Sequence, residues 1–298
     1  MRRLRPAPLQ PGRRDPDRLQ SARPHPLRLQ PASVLRWLWL GAVVVVVAFP
    51  VYVTVVTALL PQGDVAAGRL LPVPGRLTLD NVRAALDSAP LARQYLVSVA
   101  VTALQAVAQL TTAALAAYAL VFPRWRGRGA AFALVLATLA FPGESLVIPN
   151  FELVTGLGLR DTLLGIVIPY LAAGYAVFLL RQAFLALPRE TWEAARLDGC
   201  GELRALLHVV LPMARPQLVT AAMWCALSAW NGYFWPLLIT DSPQRRTIQV
   251  GLAQLVVDQA AAPAVIYAGT LLVLLPTLLL VLFGQRFLVR GLAARVTT

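Results

Sequence analysis

The residues able to do chemistry gather in one stretch, Glu190 to Pro216 (ETWEAARLDGCGELRALLHVVLPMARP), the longest charge-dense segment beyond the N-terminal region. Glu193, Ala194 and Ala195 are followed after three residues by Gly199, and Val209, Val210, Leu211 and Pro212 begin nine residues later. This pattern predicts a short helix, a glycine turn and a second short helix, with a proline restarting the chain into the next apolar run. Gly199 suits the turn because glycine takes the left-handed conformation that ends a helix without steric cost. Pro212 and Pro216 suit the first turn of a helix, where a missing backbone donor matters least. On the first helix Glu193 shares a face with Leu197, and Ala194 with Asp198. The two alanines would let a partner surface come close, while the acids Glu193, Asp198 and Glu202 could find basic or backbone donors on it. Taken singly, the same acids also fit a solvated helix face.

Two smaller groups stand inside apolar runs. Glu144 lies beside Pro142 and Gly143, and a charge near mid-membrane costs about 2.5–3.5 kcal/mol on insertion scales, so it usually faces a cavity or a partner. Hydration near the outer interface is the alternative. Trp230, Asn231, Tyr233 and Trp235 combine aromatic faces with an amide, which suits a sugar's C–H faces and hydroxyls. An interfacial aromatic belt, with Asn231 bonding a neighbouring helix, fits them as well. Other chemistries are excluded more firmly. His25 and His208 are the only imidazoles and lie far apart, and Cys200 and Cys225 form no ligand or disulfide pattern, so no zinc centre or catalytic triad is expected. All 27 basic residues are arginine. A Walker A loop needs a lysine to reach the nucleotide phosphates, so a standard one is absent, and any ATP must bind another subunit.

The elements that position these residues follow from hydropathy. At 298 residues, 58% hydrophobic and mean hydropathy +0.64, the chain is too apolar for a soluble domain of its size. Runs of about 18 or more apolar residues read as membrane helices, and strand readings fail because an isolated strand in lipid leaves its backbone unsatisfied. Six spans are expected, at about 35–60, 91–122, 130–149, 163–185, 217–240 and 265–289. The fold class is therefore all-α and polytopic, with the charged stretch (188–216) between spans four and five. Residues 1–33, rich in Arg, Pro and Gln, are expected to form a disordered cytosolic tail, and residues 34–298 one transmembrane domain. Twenty of the 27 arginines fall on one side of this arrangement: nine by Arg36, three at Arg124–Arg128, five at Arg181–Arg215 and three from Arg286. The positive-inside rule then puts both termini and the charged stretch in the cytosol. A net charge of +13 is of the sign that suits nucleic acid, but the arginines gather at span ends rather than on one folded face, so no nucleic-acid partner is expected.

The spacing around Glu193–Pro212 resembles the signature loop of permease subunits of binding-protein-dependent ABC importers. Asp198 and Glu202 sit where the carbohydrate (maltose-type) branch places acids. Further similarity covers most of residues 35–290: Ala117–Leu120 with Arg126–Arg128, Pro142–Glu144 with Ile148–Pro149, Leu179–Gln182, Trp230–Asn231 with Phe234–Leu238, and Val289–Leu292. Two departures are visible. That branch often has an aromatic pair where this chain has Leu206 and Leu207, and an Asn where it has Val97. The resemblance implies a coupling helix that docks on a separate ATPase, through Glu193, Ala194, Ala195, Asp198, Gly199, Glu202, Val209, Leu211 and Pro212. It implies a second homologous permease subunit, an ABC ATPase dimer carrying the ATP and Mg, an extracytoplasmic solute-binding protein and a sugar-like substrate. No cofactor is expected on this chain, which would sit among lipids of a bacterial inner membrane and perform no enzymatic step. A secondary transporter driven by an ion gradient would need paired mid-membrane carboxylates, and only Glu144 is available.

Overall fold

The computed structural model describes residues 31–69, 71–72, 75–88, 90–259 and 262–293, with backbone alone at 31–34, 144 and 283–293. The expected tail lies outside the described residues up to position 30, and a helix has already begun at Pro31. Among the described residues every regular element is helical, the form in which a chain satisfies its own backbone in lipid.

The chain divides at Val51 into two units. Helix α1 (Pro31–Leu59) runs through that boundary, and in the first unit its side chains from Leu35 to Phe49 are exposed, an apolar all-round surface suited to lipid. The second unit, residues 52–298, holds the remaining elements. Its first carbonyls are closed by a side chain: the Asn81 amide, buried on α3 (Asp80–Ser88), donates to the carbonyls of Ala58 (3.0 Å) and Leu60 (2.7 Å), groups a helix C-terminus leaves unpaired. The short α2 (Gln62–Ala66) lies between them in sequence.

Helix α4 (Leu91–Val121), 31 residues long, is the central element. After it come α5 (Arg128–Ala140), α6 (Val147–Gly156), α7 (Leu163–Val167), α8 (Gly174–Leu185), α9 (Arg189–Leu197), α10 (Glu202–Ala205), α11 (Leu211–Met213), α12 (Arg215–Trp230), α13 (Phe234–Ile239), α14 (Ile248–Asp258) and α15 (Pro263–Ala293). Among the described residues three helices are long and apolar enough to cross a membrane, at 35–59, 91–121 and 263–282. The other expected spans are interrupted. Span three stops at Ala140, where Phe141 turns extended before Pro142, and resumes through a 3-10 turn at Gly143–Leu146 into α6. Proline removes a helical donor and pushes the residue before it out of the α region. Span four bends by 48° between α7 and α8, after the 3-10 turn Ile168–Tyr170 that contains Pro169. Span five breaks at Asn231–Tyr233 between α12 and α13. Helix α14 falls within the outer loop expected at 241–263; its 11 residues are too few to cross a bilayer, and it buries Ile248, Val250 and Leu255.

Breaks of this kind free backbone groups that lipid cannot satisfy, and a polar stripe on α4 supplies partners. Gln94, Ser98, Gln105 and Gln109, all buried, and Thr112 recur at spacings of three, four and seven residues, which keep them on one side of the helix. Their amides and hydroxyls bond the carbonyls of Pro243 (2.9 Å), Ile166 (3.2 Å), Tyr170 (2.8 Å) and Leu171 (3.2 Å) and the Ile248 N–H (2.7 Å). Side-chain bonds between membrane helices are worth on average about 0.6 kcal/mol each, so the stripe matters by preventing orphaned backbone groups as much as by direct stabilisation. Glycines allow the close approaches. A Cβ on Gly165 would lie 2.2 Å from the Leu159 carbonyl oxygen, and one on Gly174 2.6 Å from Thr138 Oγ1 on α5.

Candidate functional site

Helix α9 begins after Pro188 and ends in the glycine turn expected from the spacing. Gly199 has φ +79°, its N–H bonds the Arg196 carbonyl (3.1 Å), and the Cys200 N–H bonds the Ala195 carbonyl (3.0 Å). This is the paired Schellman closure of a helix C-terminus, and it turns the chain sharply into α10.

The helix has two dissimilar faces. The inner one carries Arg189, Trp192 and Ala195, all half-buried. The Trp192 ring packs 5.4 Å from Phe122, which in turn lies 5.2 Å from Tyr118 and 6.2 Å from Phe184 of α8. Its indole N–H donates to the Tyr118 hydroxyl (2.9 Å), and that hydroxyl donates to Glu202 Oε2 (2.6 Å). Arg196 pairs with Glu202 (3.1 Å) and donates to the Cys200 carbonyl (2.7 Å), while Arg189 donates to the Phe122 carbonyl (3.2 Å). The elbow is thus bonded to the end of α4 through two side chains, Tyr118 and Glu202, that lie 84 residues apart. Glu202, grouped with the docking acids by spacing, bonds Tyr118 and Arg196 while its side chain stays exposed. Trp192 was not singled out from the sequence; the available signal was a lone tryptophan in a charged helix, in a chain whose second span ends in Tyr118 and Phe122.

The outer face presents Glu190, Ala194, Leu197 and Asp198, all exposed, with Leu197 89% accessible. Leu197 thus leaves an apolar side chain open to solvent at the end of a charged helix. Glu193 is also exposed and pairs with Arg189 (3.4 Å). Such a pair between neighbouring turns is worth about 0.3–0.5 kcal/mol, so Glu193 can exchange its partner at little cost. The two leucines at the position of the aromatic pair separate: Leu206 is buried and Leu207 is exposed.

Beyond the turn, Leu206–Val210 form a π-helical segment whose bonds reach five residues, the Leu211 N–H closing on the Leu206 carbonyl. Val209, Leu211 and Pro212 are half-buried. The axis then bends by 91° at Ala214 between Glu202–Met213 and Arg215–Trp230, with Pro216 in the first turn of α12 as its missing donor allows. The elbow therefore runs without a loop into a membrane helix.

The residues considered for a solute path sit apart from the elbow. Trp230 is buried, its indole N–H donating to the Val273 carbonyl (3.2 Å) and its ring edge-to-face with Tyr95 at 5.5 Å. Trp235 is buried too and donates to the Gly165 carbonyl (3.2 Å). Asn231 and Tyr233 are exposed at the break in span five, Asn231 donating to the Leu227 carbonyl (2.8 Å). A cleft of about 200 Å³ opens there, lined by Gln105, Tyr170, Ser228, Gly232 and Tyr233 among others. The backbone of Glu144 lies in the 3-10 turn after Pro142, and its side chain lies outside the described residues.

On the opposite end of the chain's helices, Asp161 (φ +55°) ties two loops together. It accepts from the Asp241 N–H (3.0 Å), the Ser242 N–H (3.1 Å) and the Ser242 hydroxyl, and Arg160 pairs with Asp241 (2.9 Å). Partial burial pushes the Asp161 carboxyl up, but the Ser242 and Asp241 bonds and the Arg245 guanidinium outweigh it and hold it below the usual carboxylate range.

Comparison with known proteins agrees with this arrangement. Residues 109–294 match the family model described as "Binding-protein-dependent transport system inner membrane component". The sn-glycerol-3-phosphate transport system permease protein UgpE of Yersinia pestis bv. Antiqua (strain Antiqua) is 33% identical over 258 residues, covering 84% of this chain and 92% of that protein. Its counterpart in Agrobacterium fabrum (strain C58) is 30% identical over 270 residues, covering 88% and 96%. A chain in the crystal structure of a bacterial ABC transporter involved in the import of the acidic polysaccharide alginate superposes with a TM-score of 0.76 at 26% identity, covering 85% of this chain and 95% of that one.

Proposed function

The chain belongs to the inner-membrane components of binding-protein-dependent transport systems, and from that premise we propose that it is the permease subunit of an ABC importer for a sugar or related polyol, driven through its elbow by a separate ATPase. Relatives that carry sn-glycerol-3-phosphate and an acidic polysaccharide support the substrate class, since both solutes are rich in hydroxyls. The chain is a multi-pass membrane component and catalyses no covalent step. ATP and Mg reside on an ABC ATPase dimer, and a second homologous permease completes the pore. An extracytoplasmic binding protein delivers the solute. Both termini and the elbow face the cytosol, a reading that the arginine distribution supports.

The observation that carries this reading is the two-faced α9. Its outer face is free to be gripped, and its inner face is hydrogen-bonded to α4 and continuous with α12 through the π segment. When the ATPase halves close on nucleotide, displacement of α9 moves both membrane helices as a body. That motion exchanges the inward- and outward-facing states, the two-state logic of a rigid-body switch. Glu193→Arg tests it: the charge reversal on the outer face is expected to abolish uptake and the co-purification of the ATPase together. Unchanged uptake would contradict the reading.

A further inference from the structure

We propose that the cleft at the outer head of α4 binds an acidic group, a phosphate or carboxylate, through Arg93, Gln244 and Arg245. The cleft holds about 480 Å³ and is lined by these three side chains and by Leu96, Val97, Ala100 and Leu163. Arg93, Leu96, Val97 and Ala100 share one face of α4, so a cation stands directly above an apolar wall. No acid lines the cleft, and among the described residues Arg93 forms no ion pair. Arg245 is partly neutralised: it donates to the Asp161 backbone carbonyl, a bond that leaves its charge in place, and its Nε lies 3.9 Å from Asp161 Oδ2, a carboxylate that already accepts three closer bonds from Asp241 and Ser242. Two guanidiniums and an amide lining one cleft beside an apolar wall favour an anion, and arginine's planar fork suits phosphate and carboxylate oxygens. The N-terminal end of the long helix α4 adds positive potential from the same side. Arginines on the outer side also run against the usual charge bias of membrane proteins, which gives their pairing in one cleft a reason.

This assignment rests on the importer reading for its side of the membrane, and it gives the solute an acidic group that the cleft meets first. An anionic phospholipid headgroup offers the same chemistry, so the test separates the two sources. The assembled complex is placed in nanodiscs of phosphatidylcholine alone, and binding of sn-glycerol 3-phosphate is compared with glycerol, and glucuronate with glucose. Each acid is expected to bind at least about tenfold tighter than its neutral counterpart. Arg93→Gln and Arg245→Gln should each erase that preference, and Arg93→Lys should retain most of it, which separates charge from folding. Discs containing phosphatidylglycerol form the second arm. Anion binding that persists in them marks the cleft as a solute site; anion binding that collapses in the unsubstituted protein, with the lipid retained on purification, marks a headgroup site. Equal binding of charged and neutral compounds, or a preference untouched by Arg93→Gln, overturns the proposal. The ATPase is followed in the same samples: if it stays bound while anion preference is absent, the cleft assignment fails alone, whereas its loss from the unsubstituted complex would count against the importer reading.

Discussion

Replacing Tyr118 by Phe isolates the link between elbow and membrane, because the ring keeps its place beside Phe122 while the hydroxyl disappears. Two bonds go with it, one donated to the Glu202 carboxylate at 2.6 Å and one accepted from the Trp192 indole at 2.9 Å. A hydrogen bond to a charged group contributes about 1.5–3 kcal/mol and a neutral one about 0.5–1.5 kcal/mol. Glu202 is 49% accessible and keeps its Arg196 partner, and Trp192 is half-buried, so water recovers part of the loss and a net cost of about 1–2 kcal/mol is expected. For a chain of this size that corresponds to a fall of roughly 2–3 °C in melting temperature. The assay is the ratio of solute imported to ATP hydrolysed in proteoliposomes holding the whole complex, with the melt as control. The outer face of α9 is intact in this variant, so the ATPase should still bind and turn over, but fewer solutes should cross per ATP. A variant that melts lower yet transports at the original ratio, or one unchanged in both, would refute transmission through Tyr118.

The remaining predictions concern single contacts. Gly251→Ala puts a Cβ 1.7 Å from Gln94 Oε1, so the amide must leave the Pro243 carbonyl, and a loss of about 1–3 kcal/mol should appear as a lower melting temperature. Gly199→Ala meets open space but must hold φ +79°, so a cost of about 1 kcal/mol should weaken ATPase retention modestly without changing the fold by circular dichroism. The depressed Asp161 carboxyl contributes stability that is full above the unfolded-state value near pH 4 and is lost as pH falls through its lower folded-state value. A melt series from pH 6 downward should show that loss, and Asp161→Asn should start lower at pH 6 and lack that component.

Much of this was legible in the sequence because glycine and proline act locally. Gly199 ends α9 where the spacing placed the turn, and Pro216 opens α12. Gly165 and Gly174 sit where neighbouring atoms come so close that a Cβ would strike them. Pro142 and Pro169 mark the breaks in spans three and four, whereas the break in span five was harder to foresee, since hydropathy averages across Gly232 and reports one apolar run. Helix α14 escaped for a related reason: its apolar residues are too few to cross a bilayer, and its burial depends on α4 and α15 lying beside it. The bond that Glu202 makes within the chain was beyond reach altogether. Its partner Tyr118 lies 84 residues earlier, and no local pattern distinguishes an acid that docks on a neighbour from one bonded within its own chain. The two buried tryptophans make the same point, since Trp230 and Trp235 reach carbonyls of α15 and α7 that periodicity alone cannot pair with them.

The most direct test of the elbow as the point of grip is a photo-crosslinking residue at Leu197, the side chain 89% accessible at the tip of α9, carried in the fully assembled complex in sealed vesicles. The expected product is an adduct with the ATPase subunit whose yield changes when ATP is bound. An adduct with the extracytoplasmic binding protein instead would place the elbow on the wrong side of the membrane and contradict the mechanism.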